Sequence, residues 1–232
     1  MLFRSWCDEP SASTALIGAL RDTNALVRQF AVQGIAPLAQ RADVAAVIRP
    51  LLDDPSRNVR IEAARQLSAT LDTNSSMGRE YLRFLDQIAD QPLGQMQRGV
   101  FALQRGEVTN ALTHFQTAAK WDPYSAGIRH ELAIVLSQLG HNPEAILELE
   151  KAVKLAPHEA EFHYKLALAL NEAGEGAKVL TELEEAVKLD PQHARAAYNL
   201  GLARNAAGDS AGAIQALLTA ERADPRDPRI PY

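Results

Sequence analysis

AEFHYKLALALNEAGEGAKVLTELEEAVKLDPQH (residues 160–193) runs directly into ARAAYNLGLARNAAGDSAGAIQALLTAERADPRD (residues 194–227). Laid over one another, the two agree at Tyr164 and Tyr198, Leu166 and Leu200, Gly174 and Gly208, Ala186 and Ala220, and Pro191 and Pro225. The agreement extends upstream. Pro123, Pro157, Pro191 and Pro225 are each 34 residues apart, as are Gly106, Gly140, Gly174 and Gly208. Ala118, Ala152, Ala186 and Ala220 keep the same register, with Leu132, Leu166 and Leu200. Several punctuation marks sharing one period define an internal repeat, and that reading precedes any estimate of domain count from length.

Each unit reads as a helix, a turn containing glycine, a second helix, and a proline that prevents the second helix from continuing. Small Ala at a helix–helix contact lets backbones approach, and Leu at the facing position fills the groove between neighbours. One hairpin cannot bury its apolar face alone, so stability accumulates repeat by repeat through stacking. These residues resemble the tetratricopeptide (TPR) consensus in frames 92–125, 126–159, 160–193 and 194–227, and Tyr198-Asn199-Leu200-Gly201 matches it most closely. The resemblance implies an all-α, right-handed α-α superhelix. Two positions depart from it: Val179 stands where Ala is usual, and Arg98 takes the slot that later repeats give to Leu.

Upstream the period changes to 32, relating Leu20 to Leu52, Asp22 to Asp54, Val27 to Val59, Arg28 to Arg60 and Ala31 to Ala63. Asp, a short turn, then Val-Arg and a spaced Ala is similar to short HEAT-like repeats. There the Asp accepts from free N–H groups at a helix start, and an Arg one repeat away can pair with it. Helices are expected near 11–21, 24–40, 43–53 and 56–71. The organisation expected is HEAT-like repeats over 1–75, a connecting helix over 76–91 (near 77–90), and four TPR repeats over 92–227. A fifth repeat is expected to start at 228–232, where Tyr232 continues the spacing of Tyr164 and Tyr198. The chain reads as truncated at this end, leaving an apolar face on the helix near 210–222 (Ile214, Leu217, Leu218) open to self-association.

Composition agrees with a folded, soluble chain. Of 232 residues 47% are hydrophobic and 23% charged, with 13 Gly and 12 Pro. A net charge of −5 with dispersed Lys and Arg argues against a nucleic-acid partner. No apolar run has the length of a signal peptide core or a membrane span, so no membrane partner is expected and the chain as written reads as cytoplasmic. The single cysteine, Cys7, excludes an internal disulfide and a Cys-based zinc site built by this chain alone.

Asp54-Pro55-Ser56-Arg57-Asn58-Val59-Arg60-Ile61-Glu62-Ala63-Ala64, the connecting helix and the TPR array together resemble the C-terminal part of bacterial multihaem c-type cytochrome-like proteins. That resemblance implies an exported, periplasmic parent and a docking or assembly role beside haem modules. It transfers no haem ligand, because C-x-x-C-H requires two cysteines and the chain has one.

No cofactor or catalytic role is expected. The histidines His114, His130, His141, His158, His163 and His193 lack metal-ligand spacing and read as surface or packing residues. No nucleophile elbow, phosphate-binding glycine loop or catalytic-cysteine signature is present. Glu182, Glu184 and Glu185, flanked by Lys178 and Lys188, read as a solvated helix face. The functional signal left is the concave groove that first helices line in TPR arrays. Its position five gives Met96, His130, Tyr164, Tyr198 and Tyr232; position six gives Gln97, Glu131, Lys165 and Asn199; position twelve gives Leu103, Ser137, Asn171 and Asn205. Aromatic and amide groups spaced along a groove suit a peptide or partner protein, although Tyr followed by Asn is also plain consensus. First helices carry Arg98, Arg105, Arg129, Lys165, Arg195 and Arg204 against Glu131, Glu161 and Glu172, which favours an acidic partner. Position nine is Val100, Ile134, Leu168 and Leu202, so the Asn-based clamp for chaperone carboxylate tails is absent.

Overall fold

The computed structural model describes residues 10–225, and every regular element among them is helical. The expected fifth-repeat start at 228–232, with Tyr232, lies outside the described residues. The helices form two compact units that divide within one helix, after Ala111.

The first unit contains α1 (Pro10–Ala19), α2 (Ala25–Ile35), α3 (Ala42–Ile48), α4 (Arg57–Gln66), α5 (Ser76–Gln87) and α6 (Pro92–Gln104). α2 packs on α1 and α4, and α4 packs on α5. Three expected helices are shorter than the apolar pattern implied. α2 gives way to a 3₁₀ turn at Ala36–Leu38, and α3 to one at Arg49–Asp53. Pro37 and Pro50 explain both endings, since neither can donate the next helical hydrogen bond. α4 stops at Gln66 where hydroxyls compete for the backbone: Ser68 donates to the Arg65 carbonyl and Thr70 to that of Leu67. Two apolar clusters hold this unit. One gathers Leu20, Val32, Ile35, Val44 and Ile48, and the other Ile61, Ala64, Met77, Tyr81 and Leu85, so α5 is a core element as well as a link in the chain. Tyr81 stacks near Phe84 and Phe101, and burial pushes its phenol up to about 12.

Between these helices runs a ladder of arginines. Arg28 clasps Asp54 through Nε and Nη2 at 2.7 and 2.8 Å, while its Nη1 donates to the Asp22 carbonyl. One period on, Arg60 clasps Glu80 at 2.9 and 2.8 Å and donates to the Asp54 carbonyl. The Asp54 carboxylate also accepts from the Ser56 N–H, as the Asp-turn reading expected. Each guanidinium thus ties a turn to the next helix in a bidentate geometry that Lys cannot reproduce.

The second unit begins within α7 (Val108–Trp121) and continues through α8 (Ala126–Gln138), α9 (Asn142–Leu155), α10 (Ala160–Glu172), α11 (Gly176–Leu189), α12 (Ala194–Ala206) and α13 (Ser210–Ala223). From α8 onward each helix packs on the next, giving stacked helix–turn–helix repeats. The glycines turn the chain within each hairpin. Gly140, Gly174 and Gly208 hold φ of 79, 77 and 84°, where the following N–H reaches back to the carbonyl five residues earlier, as in His141 to Leu136 at 2.9 Å. This left-handed closure disfavours any residue with a Cβ. The prolines end each second helix through the residue before them: Ala156, Asp190 and Asp224 have left helical geometry while their N–H groups still bond to Ala152, Ala186 and Ala220.

Ala118, Ala152, Ala186 and Ala220 are all 0% exposed, as their register demands. Leu132, Leu166 and Leu200 are buried with them, and Val179 is accommodated in the core. Arg98, in the Leu slot, instead donates to the Leu85 carbonyl and pairs with Asp86. Leu217 does not belong to the open face expected of it, because its side chain fills the notch left by Gly201 inside the last hairpin.

Two outcomes follow from this packing. Ala152→Leu should lower unfolding free energy by about 1–3 kcal/mol, read as a drop in urea midpoint with unchanged helical content; an unchanged midpoint would contradict the alanine seam. Arg28 and Arg60 hold the Asp54 and Glu80 carboxyls below the usual carboxylate range through hydrogen bonds. Their contribution is therefore essentially complete above pH about 5 and lost as pH falls through the depressed folded values. Asp54→Asn should be less stable than wild type at neutral pH yet lose less between pH about 5 and about 2.5.

Candidate functional site

Positions five, nine and twelve of a helix lie on one face, so the first helices of the second unit, α8, α10 and α12, each present a short column of candidate side chains. The aromatic rows are largely engaged with one another. His130 lies 5.0 Å from the Phe162 ring, Tyr164 lies 4.6 Å from His193, and the Asn199 amide donates to the Tyr164 hydroxyl at 3.4 Å. Tyr164 is 7% exposed, and Tyr198 packs against Ala197 and Ala220. Lys165 sits over the Tyr164 ring at 5.6 Å and pairs with Glu161 at 3.5 Å, while Glu161 also meets His193 at 3.2 Å. Tyr164, Lys165 and Asn199 therefore come together as a brace between successive repeats. Glu131 lies beside His130, whose Nε2 is buried without a hydrogen-bond partner. Met96 and Gln97 belong to the first unit, where both are half-buried and the Gln97 Oε1 has no hydrogen-bond partner.

Also accessible on this face are the position-nine row and the group three residues beyond it. Ile134 and Leu168 are partly exposed, and Leu202 is 49% exposed. Ser137 is half-buried, while Asn171 and Asn205 are exposed. Each repeat thus shows an aliphatic side chain with a hydroxyl or amide next to it. The sequence signal was position nine itself, read above only as the absence of an Asn clamp.

Charge is arranged differently from the sequence count. Arg98 pairs with Asp86, Arg105 with Glu107, Arg129 with Glu148, Lys165 with Glu161 and Arg204 with Glu184, while exposed Arg195 has no carboxylate partner among the described residues. Most first-helix cations are thus engaged with carboxylates of the chain itself.

The Glu182 cluster is also not a uniform solvated face. Glu182 turns inward to His163 Nδ1 at 2.7 Å, and His163 Nε2 faces the Pro157 carbonyl at 3.0 Å. Glu184 reaches Arg204, Glu185 pairs with Lys188, and Lys178 pairs with Glu175. One repeat earlier Arg129 makes the same link, to Glu148 at 2.8 Å and to the Pro123 carbonyl. The 34-residue period places Arg129 over His163 and Glu148 over Glu182, a pairing visible in the sequence only once the two helices are known to touch. In the first unit, buried Glu62 accepts from Gln33 and Gln66 and pairs with Arg65. Among the described residues no group of three or more His, Cys, Asp or Glu is placed to hold a metal ion.

Comparison with known families follows this geometry. A HEAT-repeat model matches residues 13–103, and tetratricopeptide-repeat models match 102–169 and 180–228. The matched stretches give the fold, an all-α stack of HEAT-type and tetratricopeptide-type helix–turn–helix repeats. The HEAT match takes in α5 and α6, the helices expected as a connector and as the opening of the first TPR repeat. No curated protein matches in sequence. Among solved structures, MamA is 22% identical, covering 64% of this chain and 86% of its own, with a TM-score of 0.58. MamA from residue 41 onward from Desulfovibrio magneticus RS-1 is 22% identical, covering 83% and 97%, with a TM-score of 0.56. YrrB, described as a TPR protein with an unusual peptide-binding site, is 16% identical, covering 93% and 95%, with a TM-score of 0.53. These likenesses establish the fold.

Because the Tyr164 ring is enclosed, Tyr164→Ala should destabilise the TPR unit by about 3–5 kcal/mol, the range for emptying a buried aromatic site. Asn171→Ala and Asn205→Ala should stay within about 0.5 kcal/mol. Urea unfolding followed by circular dichroism separates the two classes, and equal midpoints would return Tyr164 to the ligand-facing set.

Proposed function

We propose that this protein is a non-enzymatic protein–protein interaction scaffold that binds a peptide or partner domain along the first-helix face of its TPR unit, the face that is concave in such arrays. One observation carries the reading: Ile134, Leu168 and Leu202 recur one repeat apart, each with Ser137, Asn171 or Asn205 one turn further on. Aliphatic side chains recurring along a face accept apolar side chains of a partner, and amides beside them can satisfy the partner's backbone. Tyr198 extends the same surface, while Tyr164, Lys165, Asn199 and His130 set its geometry from behind. Paired cations give it little pull on an acidic segment, so apolar and hydrogen-bonding contacts would set preference in place of charge.

A non-catalytic role is supported by where the titratable groups sit. Arg129–Glu148 and His163–Glu182 are engaged in joining helices, and although Arg129 and Glu148 line an open cavity of about 520 Å³, no nucleophile–base pair faces it. No helix among the described residues is long and apolar enough to cross a membrane. The fold likeness to YrrB, itself described as peptide-binding, supports the choice of partner class. Docking beside haem modules is the alternative that the cytochrome-like resemblance alone suggests, and it adds no residue to this surface.

The test is selection of binders from a random peptide display library, followed by fluorescence titration of a selected peptide. Leu168→Glu and Leu202→Glu should each weaken binding about tenfold or more, equivalent to about 1.4 kcal/mol, with thermal midpoints unchanged. Peptides that bind both variants as tightly as wild type would rule this face out.

A further inference from the structure

Helix α13 departs from its equivalents α7, α9 and α11 in a way that the peptide-binding reading does not use, although α7 also is poor in charge, with Lys120 alone. α9 carries Glu144, Glu148, Glu150, Lys151 and Lys154, and α11 carries Lys178, Glu182, Glu184, Glu185 and Lys188. α13 carries Glu221 and Arg222, both in its last turn. Along α13, Ala211, Ile214, Gln215 and Leu218 are exposed, and their spacing places them in one stripe down the helix. Ile214 is 57% exposed and Leu218 38%. The preceding repeats put Leu180 and Ile146 at the first of these positions, both partly covered, and Glu184 and Glu150 at the second. The first TPR repeat has Gln116 at the second position, so the three earlier repeats all place a polar side chain there, and α13 places Leu.

The chemistry of the stripe says what would cover it. An interface core is depleted of charge, and a two-fold interface sets each residue against the same patch on its twin, so a glutamate row like that of α11 would repel itself. α13 is without such a row. Its charged ends are opposite: the Asp209 carboxylate caps the first turn, accepting from the Gly212 N–H at 2.9 Å, and exposed Arg222 lies in the last turn. Two copies of α13 laid antiparallel would bring Ile214 of one against Leu218 of the other. Arg222 would then lie near the Asp209 end of its twin, with the helix dipoles opposed. Small Ala211, exposed in the stripe, would let the two helices approach closely.

We propose that this stripe is a self-recognition surface, pairing antiparallel with α13 of a second copy of the chain. It is separate from the first-helix face, so a dimer would present two peptide-binding units.

Sedimentation velocity of the full chain over a wide concentration range tests this. Wild type should pass from monomer to dimer with rising concentration. Ile214→Glu and Leu218→Glu should each raise the dissociation constant at least tenfold, and together should leave only monomer, with circular dichroism and thermal midpoint unchanged because both side chains are exposed. In a Cys7→Ser background, Ile214→Cys should cross-link between copies with a short bis-maleimide. A monomer at every concentration would overturn the proposal, as would a dimer that survives both glutamates. So would a monomer whose α13 stripe is protected from hydrogen exchange by residues 226–232, since the chain itself would then be the occupant.

Discussion

Everything in the TPR unit depends on how closely successive helices approach at one row of alanines. Ala118, Ala152, Ala186 and Ala220 have no accessible surface, and a β-carbon is all the clearance allows. That spacing brings Leu132, Leu166 and Leu200 into the groove of the neighbouring helix. Hairpins of this length cannot stand alone, because each leaves an apolar side that only a neighbour covers. The glycine turns and the proline stops matter because they deliver each helix to the seam in register, and a slip of one residue would put a larger side chain where only Ala fits.

Both units solve the next problem in a similar way. A turn between hairpins exposes carbonyls that must be satisfied, and a nitrogen-bearing side chain from the following helix reaches back to them while holding a carboxylate elsewhere. Arg28 and Arg60 do this in the HEAT unit, and Arg129 and His163 do it in the TPR unit. In the last repeat the equivalent residues are Ala197 and Ala216, both buried. Replacing a buried polar pair with small apolar groups costs little when both partners go together, so the stack tolerates the exchange. The same logic explains why most first-helix cations carry no message for a partner: they are held by carboxylates of their own chain.

The aromatic ladder shows how one consensus position can serve fold and ligand at once. Tyr164 sits under Lys165 and beside His193 and Asn199, so it is a wall between repeats. Position nine, one turn along, is where the side chains emerge. Binding surfaces on repeat proteins are therefore best sought one turn away from the residues that define the repeat.

The sequence by itself determined the helical hairpins, their period, the glycine turns, the proline stops, the alanine seam and the Asp–Arg ladder upstream, because all of these are local or recur at a fixed offset. Periodicity is readable without knowing what touches what. Only the tertiary structure decided which side chains on a given helix are occupied. Glu182 was indistinguishable from Glu184 and Glu185 until α11 was seen to bring it to His163. Leu217 was indistinguishable from Leu218 until the notch at Gly201 claimed one and left the other exposed. Nor did the sequence say which first-helix cations are engaged, since Arg129 meets Glu148 and Arg204 meets Glu184 from the neighbouring helix. A charge count along the chain cannot register such a pairing, which depends on rotation of each helix about its axis and is set by packing against both neighbours.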